Sequence, residues 1–168
     1  MNAITLKDKY PLPRIDELLD NMRGASVFSK MDLQQGYHQI RVLAEHVPRT
    51  AFQTKYGSYQ FLVLPFGLCN APATFQRTMN DLLAIYRSFA EVYIDDIVIH
   101  SDTIAEHAEH LEKVLTLLRK EKLYAKRSKC SFARDFIEFC GFNVSKRNLD
   151  TAREAGSHQG LAEPTVRQ

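Results

Sequence analysis

The chain has 168 residues, of which 45% are hydrophobic and 25% are charged, and its formal net charge is +2. These values lie near the average of globular domains and exclude fibrous, intrinsically disordered and disulfide-rich classes. No apolar run approaches the roughly 18 residues that a membrane span needs, and residues 1–14 lack the apolar core of a signal peptide. The small net charge does not by itself indicate nucleic-acid binding. We expect one folded domain that has no membrane partner.

The cysteine content favours an intracellular protein. Cys69, Cys130 and Cys140 cannot all pair within the chain, and none belongs to a CxxC motif of the kind that binds zinc or carries out redox chemistry. We therefore expect thiols in a reducing environment.

The first part of the chain predicts a short helix, a strand and a hairpin. Apolar residues recur at helical spacing over residues 15–22, after Pro13 and before Gly24. Residues 26–32 favour a strand, because they are rich in residues that fit a half-buried pleated surface. Two further β-favouring runs within residues 50–64 flank a glycine-containing turn, which predicts a hairpin.

A second helix and an acidic hairpin follow. Asn70 is placed to cap a helix, with proline tolerated in its first turn. The expected buried face of this helix consists of Phe75, Met79, Leu82, Leu83 and Tyr86. Short apolar runs at residues 92–94 and 97–99 enclose two aspartates, which predicts a hairpin with carboxylates at its tip.

The remaining elements are a long helix and a last hairpin. The helix is expected to begin near Thr103, with Glu106 at capping-box distance. Its expected apolar stripe is Ile104, Ala108, Leu111, Leu115 and Leu118. Residues 136–144 predict a hairpin around a glycine, and the apolar pattern stops near residue 147. Residues 149–168 are expected to be a disordered tail.

The helix also contains the sequence EHAEH at residues 106–110, which places His107 and His110 on one helical face. The order of residues differs from the HExxH pattern of zinc proteases. We expect this face to be solvated and without a metal role.

The strongest chemical signal is the pair Asp95 and Asp96 between two apolar β-forming runs. Two carboxylates about 4 Å apart repel by roughly 4 kcal/mol at an effective dielectric constant near 20, so they require a proton or a cation. Mg²⁺ suits such a site because it takes oxygen ligands. Asp32 ends another predicted strand, and adjacent strands would bring the three acids together. An isolated Asp-Asp pair is also typical of an ordinary turn.

Three motifs occur in order along the chain. They are FSKMDLQQGYHQI at residues 28–40, LPFGLCNAPATFQ at 64–76 and YIDD at 93–96, and KYPLPRID precedes them at 9–16. Together they resemble the reverse transcriptases, or RNA-directed DNA polymerases, of gypsy-type long-terminal-repeat retrotransposons. The resemblance implies an α+β polymerase palm, an antiparallel sheet packed on helices, with partial fingers over residues 1–148.

The resemblance implies a nucleotidyltransferase that adds deoxynucleotides to a primer 3′-hydroxyl by a two-metal mechanism. Its metal ions, Mg²⁺ or Mn²⁺, would be held by Asp32, Asp95, Asp96 and the main-chain carbonyl of Leu33. Lys129 would donate a proton to the departing pyrophosphate, although a basic run is also typical of a solvated face. The implied partners are an RNA or DNA template with its primer, and deoxynucleoside triphosphates.

The same resemblance implies two groups of binding residues. The nucleotide would be contacted by Leu33, Tyr37, Phe66, Gly67 and Gln76. The primer would be contacted by Tyr93, Phe139, Cys140 and Gly141. Tyr37 would lie beneath the sugar, although a tyrosine at this position also suits the hydrophobic core.

Members of this family carry further fingers strands upstream and a thumb downstream of the matched segment. By this comparison the chain is expected to be truncated at both ends and inactive alone. The alternative is a non-catalytic retroelement remnant that at most binds nucleic acid through the basic segment 120–129. Metal-dependent primer extension distinguishes the two hypotheses.

Overall fold

The computed structural model describes residues 5–146 and the backbone of residues 149–151. Within this part of the chain the helices are α1 (Ile15–Asn21), α2 (Ala71–Leu82) and α3 (Ile104–Lys120). The strands are β1 (Val27–Asp32), β2 (Phe52–Thr54), β3 (Gly57–Tyr59), β4 (Ala90–Tyr93), β5 (Asp96–Ser101), β6 (Ser131–Arg134), β7 (Phe136–Phe139), β8 (Phe142–Ser145) and β9 (Leu149–Thr151). The paired strands are antiparallel, so the predicted α+β class is confirmed.

The central sheet has the strand order β4-β5-β1-β6. Strands β1 and β5 pair along their whole length, from Val27 opposite Ser101 to Asp32 opposite Asp96. This register follows from the apolar residues of both strands, because a slip of one residue would turn their buried side chains to the wrong face. As a result, the acidic ends of β1 and β5 coincide.

The two faces of the central sheet pack against different elements. Successive side chains of a strand point to opposite faces. One face packs against α2 and α3, in a core that includes Met31, Phe75, Met79, Ile97, Ile99, Val114 and Leu118. The other face packs against α1 and the β7–β8 hairpin, in a second core that includes Leu18, Met22, Phe28, Val98, Ile137 and Phe139.

Most predicted elements are confirmed. The three expected helices form α1, α2 and α3, and the three expected hairpins form β2–β3, β4–β5 and β7–β8. The predicted start of α3 is confirmed as well, because the hydroxyl of Thr103 accepts a hydrogen bond of 3.3 Å from the amide of Glu106.

The predicted buried stripe of α3 is wrong in part. Ile104 and Leu115 are 62% and 43% exposed, whereas His107, Val114 and Leu118 are buried. The buried side chains therefore lie on a face of α3 that is rotated from the predicted one and that includes His107. The expectation that this histidine lies on a solvated face is also wrong, since its side chain is completely buried.

His107 is accommodated in the core by hydrogen bonds from two strands. Its Nε2 lies 2.7 Å from Ser29 Oγ, and its Nδ1 lies 2.9 Å from Ser101 Oγ. Ser29 Oγ also accepts a hydrogen bond of 2.9 Å from the amide of Ala133 in β6, and Ser101 Oγ lies 2.8 Å from His110 Nδ1. A buried imidazole is stable only with such partners, so this network fixes α3 to β1, β5 and β6.

Asn70 lies at the start of α2, but its side chain does not have the predicted capping role. Its Nδ2 donates to the carbonyl of Leu6 at 2.8 Å, and its Oδ1 accepts from the amide of Asp8 at 3.0 Å. Arg77 Nη2 also donates to both carboxylate oxygens of Asp8, at 3.0 Å and 2.8 Å. Asn70 therefore fastens the extended segment that precedes α1 to helix α2.

Strand β9 lies within the segment predicted to be a disordered tail, and it pairs with β8. Residues 152–168 of that segment lie outside the described residues, so the boundary at residue 148 stays a prediction. The expected thiols are confirmed, because none of the three cysteines forms a disulfide. No helix in the described part of the chain is long and apolar enough to cross a membrane.

Glu91 is a buried acid at the contact between β4 and α1. Its side chain accepts a hydrogen bond of 2.9 Å from Asn21 Nδ2, and the residue is only 8% exposed. Burial raises the pKa of Glu91 to about 7, against the opposing effects of the Asn21 hydrogen bond and the charge of Arg87. The folded protein therefore binds a proton here more tightly than the unfolded chain does.

Glu91→Gln should change how stability depends on pH. A folded pKa of about 7 lies above the unfolded value of 4.5, so protonation stabilises the wild type as pH falls through this window. Between pH 7 and pH 5 the free energy of unfolding of the wild type should rise by about 2 kcal/mol relative to that of the variant, whose amide does not titrate. Urea unfolding at both pH values measures this difference. Burial lowers the pKa of His100 to about 4. This residue is present in both proteins, so its contribution to the difference cancels.

The exposed Glu121 provides a matched control. Glu121→Gln should follow the pH dependence of the wild type. If Glu91→Gln follows it too, the carboxyl of Glu91 is ionised in the folded protein and the argument from burial fails.

Candidate active site

The structure brings the predicted acidic residues to one end of the central sheet. Asp32 and Asp96 are register partners on β1 and β5. Tyr93 pairs with Asp96 across the β4–β5 turn, which leaves Asp95 at its tip. The carbonyl of Asp95 accepts a hydrogen bond of 3.2 Å from the amide of Leu33, so the turn is tied to the end of β1.

Asp95 lies in the least favourable environment of the three acids. Its Oδ1 is buried and has no hydrogen-bond partner among the described residues. Burial raises the pKa of Asp95 above its usual value, the charges of Asp32 and Asp96 raise it further, and Lys129 opposes them. Within the described chain, Asp95 Oδ1 is therefore an unpaired carboxylate oxygen to which a cation would bind favourably.

The other two acids each have a lysine partner. Asp32 Oδ2 lies 3.0 Å from Lys129 Nζ, and Asp96 Oδ2 lies 2.8 Å from Lys30 Nζ. The hydrogen bond and the charge of Asp32 raise the pKa of Lys129, which therefore keeps its proton at neutral pH. The two lysines reduce the repulsion at the ends of β1 and β5, but their ion pairs are with Asp96 and Asp32 rather than with Asp95.

The side chain of Gln76 forms hydrogen bonds with the backbone on the buried side of the acidic turn. Its Oε1 accepts a hydrogen bond of 2.7 Å from the amide of Ile94, and its Nε2 donates to Val92 O at 3.1 Å and to Asn80 Oδ1 at 2.9 Å. Ile94 has a φ of 52°, which is a costly conformation for a β-branched residue. Gln76 is completely buried, and this placement does not support its predicted contact with a nucleotide.

A pocket of about 300 Å³ opens beside the acidic turn. Its lining includes Asp32, Leu33, Gly36, Phe66, Asp95 and Lys129. Carboxylates, an ammonium group and an exposed aromatic ring therefore face one cavity. This combination suits a ligand that carries both phosphate and a flat ring, with a cation between phosphate and carboxylate.

Phe66, which lines the pocket, belongs to a cluster of aromatic side chains. The ring of Tyr37 lies 5.1 Å from the rings of both Phe66 and Phe75. Phe75 is fully buried beneath it, while Phe66 is 61% exposed. Burial and then the charge of Asp95 raise the pKa of Tyr37. Gly67 follows with a φ of 87°, a conformation that glycine adopts without strain.

Gly36 was not predicted as a site residue, although it lies in the first motif. A Cβ atom at this position would lie 2.7 Å from Asp95 Oδ1 and 2.9 Å from Phe75 Cζ. Both distances are shorter than real Cβ contacts, so only glycine allows the backbone to approach the acidic turn this closely. The sequence signal for this role is a glycine four residues after Asp32.

The residues predicted to contact a primer lie around the β7–β8 hairpin. Phe139 is completely buried in the second core, and Cys140 and Gly141 form the turn with φ values of 51° and 81°. Burial and then the charge of Asp96 raise the pKa of Cys140 to about 11, so its thiol is a poor nucleophile. Tyr93 packs against the second core from β4.

Comparison with known proteins agrees with this geometry. The model of the family described as "Reverse transcriptase (RNA-dependent DNA polymerase)" matches residues 1–144. The Retrovirus-related Pol polyprotein from transposon 297 of Drosophila melanogaster is 41% identical over 146 residues. That match covers 86% of this chain and 14% of the relative. The Transposon Tf2-3 polyprotein of Schizosaccharomyces pombe is 35% identical over 155 residues, which are 92% of this chain and 12% of that relative.

Solved structures show the same fold. The foamy viral protease-reverse transcriptase in complex with an RNA/DNA hybrid has a TM-score of 0.82 and 25% identity, over 97% of this chain and 22% of that one. The form in complex with double-stranded DNA has a TM-score of 0.84 and 25% identity, over 97% and 29%. These findings confirm the predicted resemblance and the palm architecture. The chain belongs to the reverse transcriptase (RNA-dependent DNA polymerase) family.

Proposed function

We propose that this chain is the catalytic palm of a retrotransposon reverse transcriptase, of the gypsy type that the sequence motifs resemble. In this proposal it adds deoxynucleotides to a primer 3′-hydroxyl on an RNA or DNA template. The observation that carries the proposal is that Asp32, Asp95 and Lys129 face one pocket together with Phe66. The relatives are transposon polyproteins and the matched structures hold nucleic acid, which supports the same assignment.

The residues present fit a divalent cation, Mg²⁺ or Mn²⁺. The buried Asp95 Oδ1 has no hydrogen-bond partner in the described part of the chain and can accept a metal ion. Asp32, Asp95 and the main-chain carbonyl of Leu33 would hold the ions, and Asp96 would take a smaller part because Lys30 occupies one of its oxygens. Among residues 5–146 no group of three or more His, Cys, Asp or Glu side chains could hold a metal ion by itself. Mg²⁺ commonly binds one or two carboxylates and completes its coordination with substrate phosphates.

The side chains around the carboxylates have separate roles in the proposed reaction. A bound ion would supply positive charge for the in-line transition state and for activation of the primer hydroxyl. Lys129, with its pKa raised beside Asp32, carries the proton that departing pyrophosphate requires. Phe66 and the neighbouring Tyr37 would orient the nucleotide, with Tyr37 beneath the sugar and Gly67 allowing close approach of the backbone.

The β7–β8 hairpin is proposed to hold the primer strand. Its turn, at Cys140 and Gly141, lies beside the acidic end of the sheet, because Lys30 bonds to both Asp96 and the carbonyl of Glu138. Phe139 supports this turn from the core and Tyr93 packs nearby. In this arrangement the primer terminus would approach the carboxylates from the side of the second core.

Metal binding is the first test. Mn²⁺ at ten times its dissociation constant should stabilise the wild-type chain by about 1.4 kcal/mol, seen as a rise in melting temperature. Asp95→Asn should abolish this rise because it removes the charge of this carboxylate. Asp81→Asn, which changes an exposed acid on α2, is the control and should keep the rise. Equal shifts in all three proteins would mean non-specific surface binding and would contradict the metal site.

Primer extension tests the reaction itself. The chain spans 14% of the transposon 297 relative, so we would assay both the chain alone and the chain extended with that relative's flanking segments. In the extended protein Asp95→Asn should reduce extension with Mg²⁺ by at least about 10²–10³-fold, as expected for loss of a preorganised electrostatic group. Unchanged extension would remove Asp95 from the proposed metal centre. Salt-sensitive primer–template binding without any extension would favour the binding-only alternative.

Gly36→Ala tests the close approach of the backbone to Asp95. The added methyl group would clash with Asp95 Oδ1 and Phe75 Cζ, so the variant should lose about 1–3 kcal/mol of unfolding free energy. The rise in melting temperature with Mn²⁺ should shrink as well, because the carboxylate is displaced. Adding Phe75→Leu makes room for the methyl group, so the double variant should be less destabilised than the sum of the single variants. Strict additivity would contradict the clash.

A further inference from the structure

Lys30 is a charged residue in the middle of the central strand β1. Its backbone pairs with Val98 of β5, and its side chain is 25% exposed. It lies on the same face as Phe28 and Asp32, because these positions alternate along the strand. A lysine at such a position is rare unless its charge is paired.

The ammonium group of Lys30 contacts two separate elements. Its Nζ lies 2.8 Å from Asp96 Oδ2 on β5 and donates a hydrogen bond of 3.1 Å to the carbonyl of Glu138 on β7. The side chain of Asp96 is itself only 26% exposed, so this pair is screened less by water than the pair of Lys129 and Asp32, whose lysine is 57% exposed. One cation thus joins an acidic residue of the turn to the backbone of the β7–β8 hairpin.

We propose that Lys30 is a positioning residue of the metal site: it holds Asp96 against the β7–β8 hairpin and away from the pair formed by Asp32 and Asp95. This inference rests on the proposed function. Lys30 and a divalent cation compete for the same carboxylate. Because Lys30 occupies Oδ2 of Asp96, this oxygen does not coordinate the ion. The ion pair therefore determines how strongly the site binds metal.

This arrangement makes a prediction that a purely structural ion pair does not. Removing the charge of Lys30 leaves the cluster one unit more negative and releases Asp96 toward the metal. Metal affinity should therefore increase. If Lys30 only braced the hairpin, its loss would loosen the β7–β8 hairpin and leave the affinity unchanged or lower.

The experiment measures Mn²⁺ binding to the full chain by electron paramagnetic resonance of the free ion. Lys30→Met should bind Mn²⁺ about fivefold more tightly than the wild type, the size expected from losing one partly exposed ion pair. Lys30→Arg should restore the wild-type affinity. The double variant Lys30→Met with Asp96→Asn should show no gain, because the released carboxylate is absent. Lys113→Met, which removes an exposed lysine paired with Glu109 at 4.0 Å on α3, is the control and should also show no gain.

Unchanged or weaker binding by folded Lys30→Met would overturn the inference, and so would an equal gain in Lys113→Met. If Lys30→Met does not fold, Lys30→Leu gives the same comparison, because it also removes the ammonium group from both Asp96 and Glu138. Amide hydrogen exchange of β7–β8 should be faster in either variant, and faster exchange with unchanged affinity would leave only the bracing role. Failure of the proposed function is separate, because there Mn²⁺ binding by the wild type would be insensitive to Asp95→Asn.

Discussion

Electrostatic repulsion among three carboxylates at one end of a sheet is the constraint around which this molecule is arranged. The repulsion is unavoidable, because full pairing of β1 with β5 places Asp32 opposite Asp96, and the charges of both act on Asp95 at the tip of the turn. Two lysines from distant parts of the chain compensate two of the acids. The third acid, Asp95, is held by packing and by backbone hydrogen bonds. Its Oδ1 is the carboxylate oxygen best suited to a cation.

The elements that carry the site could be predicted because their signals are local. Apolar spacing of 3.6 residues identifies α2, and a pair of acids between two β-forming runs identifies the β4–β5 hairpin. The cluster of carboxylates could be anticipated from the same information, since acids at the ends of adjacent strands must meet. The family resemblance added the expected roles of Tyr37 and Phe66, of which Phe66 lines the pocket and Tyr37 contacts the ring of Phe66.

The remaining features depend on partners that are far apart in sequence. In the sequence His107 resembles a surface residue, because charged and polar residues surround it. Its burial depends on a hydrogen bond with Ser29, which is 78 residues away. Asn70 has the residue type and position of a helix cap, but its side-chain oxygen accepts a hydrogen bond from the backbone amide of Asp8, which is 62 residues away. Polar side chains can satisfy their hydrogen bonds locally or across the fold, and only tertiary packing decides between them.

The left-handed backbone at Ile94 has a consequence for the proposed polymerase reaction, which would use the same turn for every nucleotide. A β-branched residue in this conformation stores on the order of 1–3 kcal/mol, and the buried amide of Gln76 keeps it there. The turn is therefore ordered when the chain folds, and its loss of conformational entropy is not repeated each time a substrate arrives. In the proposed reaction, a flexible turn would have to order Asp95 anew with every nucleotide, which would raise the barrier each time.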